Sequence, residues 1–389
     1  MNKRQLLLIA LTTLTLIFTV KNAGAQTATA SVFTSGLKAP VKIIVSAKGN
    51  LLVAEAGNGP NTGRISIVDG SGNRRTLIDG LPSGLAPPNF DPSGPSGLAQ
   101  RGRTLYVTIG TGDATLPGPV PATEMPNPNP SSPFLSSVLS LRLSPQAEET
   151  TQGFTLTPAD QANLQTRGFS KLEDGAGNQL TLELVINFRN FTFEPRPNFA
   201  GNVRASNLFG LASNGKKLFV VDASQNQVWE VDSDTGESRI AATFGPIANP
   251  TPIGPPFIDF VPDNVRLIGK SLLVPFLTGF PFPQGGAGIR KIRLVNGANE
   301  PFISGLTSAI DVLPVEVSKD QFQFYTLEFS TNQVMGAPGR LSLFDRADGS
   351  PTVLVNNLAT PTSLARDPAT GDLFVTETFS GRITRVQVH

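Results

Sequence analysis

The chain has 389 residues, with 31 Lys and Arg set against 30 Asp and Glu, one histidine and no cysteine. Charge this balanced, on only 16% of the residues, excludes the dense basic footprint that nucleic acid demands. Without cysteine there are no disulfides, no thiol catalysis and no thiolate metal sites, so stability rests on packing and strand pairing.

At the N-terminus, Lys3 and Arg4 precede an apolar and threonine run from Leu6 to Val20, and Ala23-Gly24-Ala25 has the small-x-small form that signal peptidase accepts. These three parts predict a secretory signal peptide over residues 1–25 and a mature chain from Gln26, periplasmic or secreted. The alternative is a retained anchor, but the run is about fifteen residues long, short of the roughly twenty that a spanning helix needs. Residues 26–389 then read as one domain.

Strong apolar runs recur along that domain: Leu51–Glu55, Leu105–Ile109, Leu218–Asp222, Leu272–Phe276, Phe324–Glu328 and Leu373–Glu377. They start about fifty residues apart, with one interval doubled. Each is preceded by another short apolar segment, such as Pro40–Val45, Pro95–Ala99, Leu208–Ala212 or Pro361–Ala365. Each is followed by an alternating third segment, such as Gly63–Asp69, Val228–Asp232 or Gly381–Val386. A Gly-containing hairpin then leads to a fourth segment ending in Gly80-Leu81, Gly305-Leu306 or Asn357-Leu358. Four antiparallel strands repeated radially make a propeller blade, so the chain is predicted to be an all-β, six-bladed β-propeller. A linear solenoid would leave bare edges. Here the last unit stops after its third strand, and Ala30–Leu37 carries the signature of the missing fourth, so the N-terminal strand is expected to close the ring.

The doubled interval holds either a seventh blade or an insertion over about 144–205. The stretch lacks a second-strand signature but contains Thr157-Pro158-Ala159-Asp160, a helix cap with proline at the first turn, and Gly168 where the helix would stop. The expectation is a helical and hairpin insertion, with one strand pair around Leu180–Phe188.

Three sets of residues are candidates for chemistry. Glu55, Asp222, Glu328 and Glu377 close the second strand in four blades. They could gather calcium, or could accept backbone N–H bonds from the turn that follows, which is the structural role expected of a repeated acid. The two blades without this acid carry the longest loops there. One is Gly110–Pro133, with Asp113 and Glu124; the other is Leu277–Gly288, where Phe280 and Phe282 could form an apolar ligand rim or pack locally. Residues entering the inner strands form the third set. Asn207, Asn264 and Asp311 are candidates for ligand contact; Asp91, Asn207, Asp263 and Asp311 are the metal ligands of an alternative lactonase-like hydrolase. Asx residues also cap turns, which is the plainer reading.

The single histidine is the terminal His389, so no Ser/His/Asp triad fits within the body of the chain, and no catalytic residue is assigned. Gly57-Asn58-Gly59 and Gly110-Thr111-Gly112 follow strands without opening helices, unlike phosphate loops. No haem, flavin, nicotinamide or quinone signature is present; no cofactor is assigned, and calcium is a candidate that the carboxylates could serve.

The series Leu52–Gly57, Gly94–Gly97, Ser206–Ala212, Val220–Ala223 and Leu277–Pro283 resembles the ScyD/ScyE family of exported, NHL-like propellers, associated with biosynthesis of the aromatic pigment scytonemin. The likeness runs from about residue 31 to 386 and is most specific at Leu277–Pro283. It implies no catalytic residues. The insertion and the polar pair Asp263-Asn264 depart from the pattern. Composition, repeat and resemblance together predict an exported binding or accessory propeller, which recognises a small hydrophobic molecule, aromatic in one version, or an envelope protein through its loop face. The alternative is a calcium- or zinc-dependent hydrolase of lactonase type.

Overall fold

A computed structural model describes residues 26–389, so the signal-peptide expectation lies outside the described residues. The described chain is nearly all strand, arranged as six small sheets in a ring: a six-bladed β-propeller. The inner strands are Pro40–Val45, Pro95–Arg101, Leu208–Asn214, the broken pair Phe260–Pro262 and Arg266–Ile268, Ala309–Ser318 and Pro361–Arg366. They belong to blades 1 to 6 in chain order, and each touches the next around a closed circle.

The second strands gave the clearest sequence signal for a physical reason. Leu51–Glu55 and Leu373–Glu377 are buried at every position, because a neighbouring blade covers each face and both faces must be apolar. A hydrophobic cluster fills every interface between adjacent blades. One unites Leu52, Ile65 and Ile78 of blade 1 with Leu105, Val107 and Leu139 of blade 2. Another joins Ile43 and Val53 to Phe374 and Ile383 across the closure. Inner strands approach each other closely where glycine allows it. A Cβ on Gly97 would meet the Phe209 carbonyl at 2.6 Å, and one on Gly210 would meet the Asn264 Cα at 2.7 Å.

The ring closes as the sequence suggested. Ala28–Ser35 pairs antiparallel with Arg382–Val388, from Ala28 opposite Val388 to Ser35 opposite Arg382, as the outer strand of blade 6. His389 belongs to this closure: its backbone N–H donates to the Thr27 carbonyl, and its Nε2 lies 3.4 Å from the Thr29 hydroxyl.

The insertion differs from its expected layout. Gln179–Asn187 is the outer strand of blade 2, paired with the third strand Ser137–Leu143, and Phe169–Glu173 adds a fifth strand beyond it. The extra material is therefore divided. One part, with the helix Pro158–Arg167 between the caps Thr157 and Gly168, lies between the third and fourth strands of blade 2. The other is a small hairpin, Phe191–Phe193 with Val203–Ala205, which stands before blade 3. The sequence misassigned Gln179–Asn187 because an outer strand, covered on one face only, carries a weak apolar signal.

Candidate functional site

The chain enters every inner strand on the face where the loops between second and third strands also emerge. In four blades the repeated acid organises this face. Glu55 accepts from the Lys38 backbone N–H at 2.5 Å, from Arg64 Nε at 3.0 Å and from the Ser66 hydroxyl. Glu377 accepts from the Ala359 N–H at 2.5 Å, from Arg382 Nε at 2.9 Å and from the Thr384 hydroxyl. Glu328 takes the Thr307 N–H at 2.8 Å and the Arg340 guanidinium. In blade 3, Asp222 takes the Ser206 hydroxyl at 2.6 Å and the Asn207 N–H at 2.9 Å.

The backbone donor thus comes chiefly from the turn before the inner strand, not from the turn after the acid. Only Gln225 N, 3.1 Å from Asp222, follows the expected pattern. The arginine partner was also readable: Gly63-Arg64-Ile65-Ser66, Gly339-Arg340-Leu341-Ser342 and Gly381-Arg382-Ile383-Thr384 put the same residue types opposite the acid. Burial alone would raise the Glu377 carboxyl, but the Arg382 guanidinium, the Thr384 hydroxyl and the Ala359 N–H bring it below its ordinary range.

Blades 2 and 4 lack the acid, and the channel mouth opens beside them. The long loop of blade 2 folds into a hairpin of Thr115–Pro117 with Glu124–Pro126. Together with the 191–205 hairpin and the start of blade 4, it walls a polar cavity of about 420 Å³ lined by Glu124, Glu194, Arg204, Asn207, Asp259 and Asp263. A second cavity of about 230 Å³ shares Glu124 and Asn207 and runs on to Asp91, Ser93 and Ser96. Asn207 sits where the two meet and accepts from the Thr111 N–H at 3.3 Å.

Two carboxyls here depart from ordinary behaviour. Burial raises Glu124, with Glu194 adding to the effect and the Thr115 hydroxyl, donating at 2.8 Å, opposing it. Asp263 is fully buried in the break of the blade 4 inner strand, its Oδ2 has no partner, and burial raises it well above the carboxylate range. Burial thus disfavours its charged form, with nothing charged beside it to offset that cost. Arg204 is paired on both sides, 3.4 Å from Asp259 and 3.8 Å from Glu194.

The remaining expected residues fall elsewhere. Asp311 lies down the channel, where Arg266 grips it with Nε at 3.0 Å and Nη2 at 2.6 Å, Leu364 N donates at 3.0 Å, and Lys42 Nζ stands 3.8 Å away. Asn264 turns its Oδ1 to the Val265 N–H at 2.9 Å, leaving its Nδ2 without a partner. Asp113 braces its own loop by accepting from the Ser131 hydroxyl at 2.7 Å and backbone N–H at 2.9 Å. Phe280 is 54% exposed and packs edge-on against Phe282, with ring centroids 6.1 Å apart. It follows Gly279, whose N–H donates to the Asp259 carbonyl at 2.9 Å, so the loop that bears the pair is tied to the cavity wall, although neither ring lines the cavity.

Asp91, Asn207, Asp263 and Asp311 therefore do not form one ligand set. Asp311 is taken up by two cations, and among the described residues no three His, Asp or Glu side chains gather to hold a metal ion. The set does not fit calcium, which takes six to eight oxygens, or a three-ligand zinc site. Glu194, Arg204 and Asp259 were missed because they stand outside the repeat register. The channel cluster was signalled by Lys42, a lysine inside the apolar strand Pro40–Val45.

No family model matches the chain, and no curated protein does. Among solved structures it is similar to a gluconolactonase from Xanthomonas campestris, at 11% identity and a TM-score of 0.52, over 94% of this chain and 92% of that one. It is also similar to an auxiliary nutrient binding protein from Bacteroides thetaiotaomicron, at 8% identity and a TM-score of 0.53, over 93% of this chain and 77% of that one. These neighbours are β-propellers. The likeness is one of fold. No helix among the described residues is long and apolar enough to cross a membrane.

Proposed function

We propose that the protein is an exported binding propeller whose ligand docks at the channel mouth between blades 2, 3 and 4. The observation that carries this reading is Asp263: a buried carboxyl with an unpartnered oxygen, in the wall of a 420 Å³ polar cavity. A buried polar atom without a partner is costly, and a ligand hydroxyl or carbonyl would satisfy it. Glu124, Asn207 and Arg204 supply further donors and acceptors, while the exposed Phe280 stands on the loop that leaves the cavity wall at Leu277. The ligand chemistry that fits is a small molecule with a hydroxyl-rich end and an apolar, ring-bearing end.

The fold serves proteins named for hydrolysis and for nutrient binding, so it does not decide between them. Binding has the support of the cavity, whereas metal-dependent hydrolysis lacks a ligand set. The signal-like N-terminus supports export, and the ScyD/ScyE likeness at Leu277–Pro283 supports an accessory role for the loop that borders the cavity. Recovery of the protein from the cell envelope or medium with Gln26 as its first residue tests the export.

Calorimetric titration with aryl glycosides and their parent sugars tests the site. Asp263→Ala should weaken binding of the responding glycoside by about tenfold or more, the worth of one to two buried hydrogen bonds. Replacing Phe280 and Phe282 by Ala should weaken the aryl glycoside more than the free sugar. A panel that shows no saturable binding, or binding indifferent to Asp263, would overturn the assignment.

A further inference from the structure

Away from the channel mouth, the outer strand of blade 2 and the face of blade 3 leave a separate cavity of about 440 Å³. Its walls are apolar: Ile186 and Phe188 come from blade 2 and its exit, Trp229 and Ile240 from blade 3. The Phe188 and Trp229 rings lie 5.3 Å apart, tilted by 56°. Trp229 is the only tryptophan of the chain, and Ile240 is 45% exposed on an outer strand.

The polar groups on the rim mostly satisfy one another. The Thr192 hydroxyl donates to Gln225 Oε1 at 3.1 Å, and Gln225 Nε2 donates to the carbonyls of Arg204 and Ala205. Asp222 is occupied by Ser206, Asn207 and Gln225, and Asn187 donates to the Pro133 carbonyl at 3.0 Å. Two groups that can only donate remain unmatched. The indole Nε1 of Trp229 is buried without an acceptor. Arg196 and Arg204 are paired with Glu194 and Asp259, but the Arg189 guanidinium has no carboxylate within 4.0 Å among the described residues.

A cavity of this volume takes a molecule of two or three rings. Its apolar walls call for a flat hydrocarbon body, and the unpaired arginine on its rim calls for an anionic acceptor. We propose that this cavity is a second binding site, specific for a small aromatic anion whose ring lies against Trp229 and Ile240 and whose acid group meets Arg189. The proposal is independent of the channel-mouth reading, since the two cavities share none of these residues.

The probe is 1-anilinonaphthalene-8-sulfonate, an aromatic sulfonate, with its uncharged counterpart N-phenyl-1-naphthylamine as control, titrated against the full chain while Trp229 emission is followed. Saturable binding at one site, with quenching of Trp229, is expected. Arg189→Gln, a change to an exposed side chain outside the hydrogen-bond and ion-pair network of the described residues, should weaken the sulfonate about tenfold and leave the uncharged probe unchanged. Ile240→Glu should weaken both. Asp263→Asn should affect neither, which separates this site from the channel mouth. Non-saturable uptake, binding without a change in Trp229 emission, or equal binding of the sulfonate by the parent and Arg189→Gln would overturn the proposal.

Discussion

Lys42 stands in the inner strand of blade 1, only 3% exposed, and its nearest countercharge, Asp311, lies 3.8 Å away, beyond hydrogen-bond distance. Burial, reinforced by the Arg266 guanidinium, outweighs the attraction of Asp311 and pushes the Lys42 ammonium down from 10.5 to about 7. The unfolded chain keeps this proton up to about pH 10.5, while the folded chain releases it near 7. Within that window the unfolded state binds more protons, so stability rises with pH. The gradient is about 1.4 kcal/mol per pH unit, and the whole window is worth about 5 kcal/mol. Lys42→Met keeps most of the side-chain volume and removes the titration. In urea unfolding from pH 6 to 10, the parent should be less stable than Lys42→Met at pH 6. It should then gain about 2–3 kcal/mol on the variant between pH 7.5 and 9.5. A difference between the two that stays flat with pH, or a parent already more stable at pH 6, would refute the reasoning.

Two further outcomes test the closure and the repeat. Deleting Ala28–Ser35 strips the ladder from Arg382–Val388, each bond worth about 1 kcal/mol net, so a lower melting temperature and aggregation on gel filtration are expected; a melt like the parent's would mean that closure occurs elsewhere. Glu377→Gln should cost about 1–3 kcal/mol, discounted because Arg382 is one-third exposed, with or without chelator. Because Glu377 is held below its ordinary range, its contribution is present above that range and fades as pH falls through the folded value. A melting temperature that responds to calcium in the parent and not in the variant would make Glu377 a metal ligand.

The ring was legible because its period is written in residues buried on both faces. Leu51–Glu55 and its equivalents can hardly be read any other way, and the helix at 158–167 announced itself through Thr157 and Gly168. The strand Gln179–Asn187 was expected, but its place as the outer strand of blade 2 was not, because a half-covered face of mixed exposure carries no blade signature. The site was legible only in part. Asn207, Asp263 and Asp91 were found because strand starts face the channel mouth, and Asp311 was found but placed in the wrong company. Its partners Lys42 and Arg266 come from blades 1 and 4, and no local pattern records a contact across the axis of a ring. Arg204 and Asp259 lie in segments without a repeat register, so their meeting at 3.4 Å is a property of the fold alone.

The repeated acid also accounts for where the cavity lies. In blades 1, 5 and 6 the acid ties the turn before the inner strand to an arginine on the third strand, and in blade 3 Asp222 ties that turn to Gln225. The turn before the inner strand of a blade so clamped has a backbone N–H satisfied by the acid, and it offers little to a ligand. Blade 2 has Ile109 and blade 4 has Phe276 near the end of the second strand. The hairpin at 115–126 and the Phe280 loop fill the space that no carboxylate clamps there, and the hairpin at 191–205 before blade 3 completes the wall. Flanked by these two blades, clamped blade 3 supplies the fixed wall, with Asn207 held by Asp222. Blade 4 supplies the broken strand that leaves Asp263 unpartnered. Restoring the acid to blade 4 would therefore bear on binding, because it would draw the turn before the inner strand into a clamp and away from the cavity wall.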